Sequence, residues 1–223
     1  MTNFNIKIVS DTVCPWCYVG KKRLEKAISL YHAAHPESVD TFSISWFPFY
    51  LNPNAPKTGI DKQEYYHQRF GPERTRMMQK RLTQVGQAEG INFKFGGRTG
   101  NTRDSHRLIQ LGKTKGEATQ TRMVEELFAA YFENEGDITS HNTLTNAAVR
   151  AGLNEAEVKE WLDGDQGGPE VDKEVEHAQR SSISGVPNFT IQDKYQIGGA
   201  EAPQTFVDIF EEIKKADGSG RTC

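Results

Sequence analysis

The apolar positions near the start of the chain follow a strand pattern, then a helix pattern, then a strand pattern again. Apolar side chains alternate with polar ones over residues 4–10, which predicts a strand. Residues 17–35 carry apolar side chains at spacings of three and four, and Pro36 ends this predicted helix. Residues 41–47 are rich in β-branched and aromatic side chains and predict a second strand. This β–α–β order predicts two parallel strands joined by a right-handed crossover.

The middle of the chain has a different character. A turn cluster at residues 52–56 is followed by a long stretch with helical periodicity and little strand signal. A glycine-rich loop interrupts it at residues 90–100. The predicted helices span residues 72–89, 103–114, 117–134, a segment capped by Ser140, and 153–162.

The end of the chain returns to a mixed pattern. It predicts a helix over 169–182, strands over 186–191 and 195–197, a helix over 202–216, and a polar, mobile tail over 217–223. The sequence therefore predicts an α/β domain in two parts with a helical insertion between them. The expected boundaries are 1–58, 59–165 and 166–223.

Composition narrows the functional classes. The 27 basic residues are outnumbered by 30 acidic ones, so a primary role in nucleic-acid binding is not expected. Mean hydropathy is −0.66, and no apolar stretch is long enough to span a bilayer. The first ten residues lack the pattern of a secretory signal. Three cysteines are too few for a disulfide framework, which favours a reducing, cytoplasmic location.

The strongest chemical motif is Cys14-Pro15-Trp16-Cys17, at the junction of a predicted strand and a predicted helix. Unsatisfied N–H groups at a helix N-terminus stabilise a thiolate, which predicts a nucleophilic Cys14. The two-residue spacing brings Cys17 close enough to attack a mixed disulfide. The motif therefore predicts thiol–disulfide exchange.

A zinc site is the main structural alternative for this motif. A complete site needs two further ligands, but the only other cysteine is Cys223 and the histidines show no ligand-like spacing. We therefore predict no metal. We predict that Cys223 is a free thiol without a chemical role. The alternative interpretation is that it forms a disulfide between two molecules.

A second informative segment is Gly185-Val186-Pro187, directly before a predicted strand. Proline at the first position of a strand removes no ladder hydrogen bond. From the residues alone, a cis bond at this position has only the base rate of about 5–6%.

Residues 8–20 and the Gly185-Val186-Pro187 segment resemble the DsbA-type thioredoxin-like proteins of the FrnE-like branch. The resemblance spans essentially the whole chain. It implies a thioredoxin fold with a large all-helical insertion, and a protein disulfide oxidoreductase or isomerase.

The resemblance also implies roles for particular residues. Cys14 corresponds to the attacking thiolate, Cys17 to the resolving thiol, and Pro187 to a cis-proline beside them. An extended substrate is expected to pair with the backbone near Val186. The expected substrate contacts are Pro15, Trp16 and Val186.

Two departures leave the direction of electron flow open. The best-known DsbA members are exported oxidants that commonly have histidine where this chain has Trp16, and no export signal is evident here. A cytoplasmic reductase or isomerase is therefore at least as consistent with the sequence as an exported oxidant is. Its expected partners are a disulfide- or dithiol-containing protein or a small thiol, with glutathione as a candidate cosubstrate, no other cofactor, and no nucleic acid or membrane. A homodimer is compatible with the resemblance.

A neighbouring branch supplies the alternative function. Kappa-class glutathione transferases and 2-hydroxychromene-2-carboxylate isomerases share the fold and the insertion, but they typically carry serine at the position of Cys14. The alternative is therefore a glutathione-dependent isomerase or transferase acting on small aromatic metabolites. A binding or chaperone-like module is the non-enzymatic alternative.

Overall fold

The computed structural model describes residues 1–181 and 183–219. Its strands are β1 (Asn3–Ser10), β2 (Thr41–Pro48), β3 (Ile60–Asp61), β4 (Arg98–Thr99), β5 (Asn188–Ile191) and β6 (Tyr195–Gly198). Its α-helices are α1 (Pro15–Ala34), α2 (Lys62–Phe70), α3 (Pro72–Glu89), α4 (Arg103–Thr114), α5 (Glu117–Phe128), α6 (His141–Arg150), α7 (Glu155–Asp163), α8 (Gly168–Arg180) and α9 (Pro203–Ser219).

A four-stranded mixed sheet in the order β2–β1–β5–β6 organises the fold. Strands β1 and β2 are parallel, as the β–α–β pattern predicts, and Ile6 lies opposite Ile44. Strand β5 runs antiparallel to β1 and forms a hairpin with β6. This sheet and the helices confirm the predicted α/β class with a helical insertion; the exact domain boundaries stay a prediction.

The alternation in β1 builds the core of the sheet. Phe4, Ile6 and Ile8 are each at most 1% exposed. The ring of Phe4 lies 5.2 Å from the ring of Tyr31 on α1 and 5.1 Å from that of Phe210 on α9, measured between centroids. Aromatic burial of this kind fixes α1 on the sheet, and with it the cysteine motif at the start of α1.

Two side chains on α5, Gln120 and Thr121, join the helical part to edge strand β2. The Gln120 side-chain amide accepts a hydrogen bond from the Trp46 backbone N–H (3.1 Å) and donates one to the Trp46 carbonyl (3.0 Å). The indole N–H of Trp46 donates to Thr121 Oγ1 at 3.0 Å. Both backbone groups of Trp46 on edge strand β2 are thereby satisfied.

The structure differs from the sequence prediction in the helical part. Helix α2 lies in a region where no helix was predicted. The segment predicted as one helix over 117–134 is α5 followed by a π-helical turn at Ala129–Glu133. The loop at 90–100 contains strand β4, which pairs with β3.

Smaller differences lie in the C-terminal part. Strand β5 begins at Asn188 rather than at residue 186. Helix α9 continues to Ser219, so the predicted polar tail does not begin at residue 217. Ser182, the predicted end of α8, and residues 220–223 with Cys223 lie outside the described residues. Within the described ranges, no helix combines the length and apolar character needed to cross a bilayer.

The buried carboxylate of Asp40 connects the residue before β1 to helices α1 and α9. Asp40 is 5% exposed, and it accepts hydrogen bonds from the Thr2 N–H (2.6 Å) and the Tyr31 hydroxyl (2.8 Å). It also forms an ion pair with Lys214 on α9. Burial opposes its ionisation, but these donors, led by Lys214, hold the pKa of Asp40 well below its usual range.

We expect Asp40→Asn to lower the free energy of unfolding by about 1–3 kcal/mol at pH 7, because hydrogen bonds to a charged partner are lost. A carboxyl whose pKa is lowered by folding stabilises the protein above its unfolded-state pKa of about 4 and loses that effect at lower pH. The difference between wild type and variant should therefore shrink at pH 3. Urea denaturation at both pH values measures it, and an equal difference at both would contradict this role.

Candidate active site

The cysteine motif lies where strand β1 passes into helix α1. Cys14 is the N-cap residue of α1, with φ −91° and ψ 110°, and Pro15 occupies the first helical turn. A turn from the Asp11 carbonyl to the Cys14 N–H (3.0 Å) sets the chain direction. The first turn of α1 contains no acidic residue. The positive end of the helix dipole therefore faces the Cys14 position without an opposing carboxylate in that turn.

The second cysteine lies beneath the first. Cys17 is 1% exposed and Cys14 is 4% exposed, and both are free thiols. Burial raises the pKa of Cys17 well above its usual value, and the neighbouring Cys14 raises it further. The Ser10 hydroxyl and the Asp11 backbone offset only part of that increase. Cys17 is therefore held as a neutral thiol at neutral pH.

The raised pKa of Cys17 predicts the order of alkylation. In reduced, folded protein at pH 7, iodoacetamide should modify Cys14 first, because the thiolate is the nucleophile and Cys17 is neutral. Labelling of Cys17 should become appreciable only at alkaline pH or after denaturation. Peptide mapping by mass spectrometry measures both sites, with denatured protein as the control. Faster labelling of Cys17 in the native state would contradict this assignment.

Val186 and Pro187 lie against the motif. The Val186–Pro187 peptide bond is cis, as the family resemblance implies. The Cys14 thiol donates a hydrogen bond to the Val186 carbonyl, with 3.5 Å between Sγ and O. Helix α1 approaches this segment closely at Gly20, where an added Cβ would lie only 3.0 Å from Pro187 Cγ and would crowd it.

A groove of about 480 Å³ opens beside Cys14. Pro15, Trp16 and Val186 line it together with Cys14, so the structure brings together the residues expected to contact a substrate. Its other wall comes from α2, α3 and the loop around residues 93–95. The lining from these elements is Lys62, Tyr66, Phe70, Arg74, Thr75, Met78, Gln79, Arg81, Leu82, Phe93, Lys94 and Phe95.

Trp16 is linked to the opposite wall of the groove. The guanidinium of Arg81 on α3 lies 5.3 Å from the centroid of the Trp16 indole ring. This distance is within the range of cation–π attraction. The aromatic residue of the motif thus forms one side of the groove and contacts α3 across it.

The groove residues on α2 were missed by sequence reasoning. Lys62 and Tyr66 lie in a Lys-Gln-Glu-Tyr-Tyr segment that carries no clear apolar stripe. The sequence does contain one signal for the start of α2, the N-cap residue Asp61. In the structure Asp61 accepts a hydrogen bond from the Glu64 N–H (2.8 Å). An Asp followed three residues later by Glu is a helix-start pattern.

Asp11, three residues before Cys14, is buried and connects the motif to neighbouring segments. It is 1% exposed, and its carboxylate accepts a hydrogen bond from the Leu51 N–H (2.8 Å) and lies 3.3 Å from His106 Nε2. These contacts fix the loop after β2 against α4. Among the residues that the structure describes, no group of three or more His, Cys, Asp or Glu side chains is arranged to hold a metal ion.

A mixed sheet, a Cys-x-x-Cys motif at the start of the helix after β1, and a cis-proline facing the first cysteine define a thioredoxin-fold protein. The sequence model of the DSBA-like thioredoxin domain matches residues 5–211. The chain belongs to that family, as its resemblance predicts.

Solved structures agree with this assignment. A probable DsbA oxidoreductase from Streptomyces coelicolor superposes with a TM-score of 0.83 at 26% identity, covering 94% of this chain and 89% of that one. A 2-hydroxychromene-2-carboxylate isomerase has a TM-score of 0.71 at 14% identity, over 98% of this chain and 100% of that one. The cytosolic disulfide reductase DsbM from Pseudomonas aeruginosa, with GSH, has a TM-score of 0.60 at 13% identity, over 95% of this chain and 99% of that one. The last two are similar in fold alone.

Proposed function

We propose that this protein is a thiol–disulfide oxidoreductase of the DsbA/FrnE type that exchanges disulfides through Cys14 and Cys17. The observation that carries the proposal is the contact between Cys14 Sγ and the Val186 carbonyl, 3.5 Å apart, at the mouth of the groove. Cys14 is therefore next to the place where a substrate can bind, while Cys17 is held neutral beneath it.

The proposed cycle has two exchange steps. The Cys14 thiolate attacks one sulfur of a substrate disulfide, a Cys14–substrate bond forms, and the other substrate sulfur leaves as a thiolate. Cys17 then loses its proton, attacks Cys14 Sγ, and releases the second substrate sulfur. The substrate gains two electrons and two protons, and the Cys14–Cys17 disulfide carries the corresponding oxidation. The reverse sequence oxidises a dithiol.

The cis-proline segment has a positioning role in this proposal. Val186 is only partly buried, lies two residues before β5 and contacts Cys14, which supports pairing of its backbone with an extended substrate. Pro187 holds that backbone in position, and Pro15 and Trp16 contact the substrate from the helix side. The partner is a protein or small molecule that carries a disulfide or a dithiol.

Glutathione is the proposed cosubstrate, and the cytoplasm is the proposed location. DsbM, which has a similar fold, is described as a cytosolic disulfide reductase and was solved with GSH. The small number of cysteines in this chain is typical of proteins in a reducing compartment. Thiol exchange with glutathione would return the Cys14–Cys17 disulfide to the dithiol.

The direct test is the equilibrium between the Cys14–Cys17 dithiol and its disulfide in graded glutathione redox buffers. Thiol alkylation followed by mass spectrometry measures both forms. We expect a reversible intramolecular disulfide, and its potential gives the direction of electron flow. A Cys14 that only binds glutathione and never pairs with Cys17 would contradict the proposal.

The apolar side chains of the groove favour a second candidate, a glutathione-dependent isomerase or transferase acting on small aromatic metabolites. The fold similarity to a 2-hydroxychromene-2-carboxylate isomerase is compatible with it. This candidate needs Cys14 to bind or activate glutathione but does not need Cys17. Activity that survives the loss of Cys17 would favour it.

A further inference from the structure

Lys62, the first residue of α2, is a buried cation. It is 2% exposed. Its Nζ donates a hydrogen bond to the Tyr131 carbonyl (3.0 Å) and lies 3.7 Å from the centroid of the Tyr131 ring. Within the described ranges, no carboxylate forms an ion pair with it, and an ammonium has three N–H donors. The Tyr131 carbonyl therefore takes one of these donors, and the face of the Tyr131 ring lies against the ammonium.

Keeping an unpaired charge in this position is costly. Burial lowers the pKa of Lys62 to about 8, and the more distant charge of Glu135 offsets only part of that effect. The ammonium is therefore still mainly charged at neutral pH. A buried charge without a partner is destabilising, and an apolar side chain of similar size is often better for stability. The Tyr131 carbonyl and ring stabilise the ammonium, but within the described ranges no carboxylate neutralises its charge in an ion pair.

The groove that Lys62 lines is positively charged. Lys62 lines the groove that contains Cys14, and the other charged side chains lining it are Arg74, Arg81 and Lys94. Among the described residues that line this groove there is no Asp or Glu, although the whole chain carries a net charge of −3. Arg74, Arg81 and Lys94 are exposed and therefore screened by solvent, whereas the charge of the buried Lys62 is screened much less.

We propose that Lys62 binds a carboxylate of the substrate, so that the groove selects apolar or aromatic disulfides and thiols that carry an acidic group. This inference rests on the proposed disulfide exchange and specifies its substrate class. One ammonium neutralises one carboxylate, and an ammonium that donates to the Tyr131 carbonyl can still donate to a carboxylate oxygen. Charge-assisted hydrogen bonds in a site of low polarity are strong enough to select for such a group.

Two aromatic disulfides, one with carboxylates and one without, test the proposal. 5,5′-Dithiobis(2-nitrobenzoate) carries a carboxylate on each ring, whereas 2,2′-dithiodipyridine carries none. Each is reduced to two thiols as Cys14 and Cys17 form their disulfide, so the stopped-flow rate constants are directly comparable. All proteins carry Cys223→Ser, which leaves only the two motif thiols. The quantity of interest is the ratio of the two rate constants.

We expect Lys62→Met to lower the rate with the carboxylate reagent relative to the neutral reagent by about tenfold, which corresponds to about 1.4 kcal/mol. Lys62→Gln should do the same, because it keeps a donor for the Tyr131 carbonyl but loses the charge. Lys80→Met is the matched control: Lys80 is exposed on α3, does not line the groove, and should leave the ratio unchanged.

Three results would overturn the proposal. An unchanged ratio in both Lys62 variants would show that the charge does not select the substrate. An equal loss with both reagents would show that Lys62 acts on the Cys14 thiol instead. An equal change of ratio in Lys80→Met would show that the net charge of the protein is responsible.

Equilibrium binding separates this inference from the proposed function. Calorimetry with wild-type protein compares 2-nitrobenzoate with the neutral 2-nitrobenzamide, and neither compound contains sulfur. We expect the carboxylate to bind more tightly, and Lys62→Met to remove the preference. This result would stand even if no Cys14–Cys17 disulfide formed. Equal binding of the two compounds by wild-type protein would overturn the carboxylate site.

Discussion

We expect Cys14→Ser to reduce disulfide exchange to the uncatalysed level, a loss of about 1000-fold or more, as is typical when a catalytic nucleophile is removed. A serine hydroxyl is not ionised at neutral pH and cannot form the mixed disulfide. The α1 N-terminus, the Val186 carbonyl and the groove all remain in the variant, so the loss measures the nucleophile itself. Reduction of a model disulfide, followed by released thiol, provides the assay.

The control for this prediction uses the third cysteine. Cys223→Ser makes the same chemical change outside the motif and should retain full activity. Circular dichroism and the Tm should show that Cys14→Ser is folded, because serine is smaller than cysteine and fits the same space. Full activity in Cys14→Ser would rule out the proposed cycle.

The second large effect is expected for Cys17→Ser, which should trap the mixed disulfide. Cys17 lies beneath Cys14 and is the group that releases the substrate in the proposed second step. Without it, Cys14 still attacks but the Cys14–substrate bond persists. After reaction with oxidised glutathione, non-reducing mass spectrometry should show nearly every molecule carrying one glutathionyl group. Wild-type protein treated in the same way should instead contain the intramolecular disulfide.

The Cys17→Ser variant also separates the two candidate functions. An oxidoreductase loses catalytic turnover with the variant, whereas a glutathione-dependent isomerase or transferase keeps it. In proteins that also carry Cys223→Ser, labelling of a Cys14→Ser/Cys17→Ser double variant should be absent, which shows that the adduct forms at Cys14. Sustained turnover by Cys17→Ser without a trapped adduct would contradict disulfide exchange and favour the second candidate.

The parts of the fold that the sequence predicts are those governed by local pattern. The alternation of Phe4, Ile6 and Ile8 identifies β1, and the spacing of Cys14 and Cys17 identifies the start of α1. The cis bond before Pro187 follows from the family resemblance and not from the residues, since the local sequence supports only a base rate.

The opposite wall of the groove was not predicted because its character depends on contacts between distant segments. Lys62 has the sequence context of an exposed residue, and only its packing against Tyr131 makes it buried. The π-helical turn at Ala129–Glu133 was also not predicted. Its apolar spacing continues that of α5, so the sequence gives no sign of a wider helix. Gly20 interrupts a helical pattern, but its packing partner lies more than 160 residues away.

The Gln120 side chain has a consequence for association between molecules. An edge strand with free N–H and C=O groups is a template on which another chain can add as a further strand, which is a common route to aggregation. At Trp46 the amide of Gln120 already occupies both groups and imitates a neighbouring strand. A strand from a second molecule would have to break both bonds to add at that point on β2. Gln120 therefore protects this edge of the sheet while joining the helices to it.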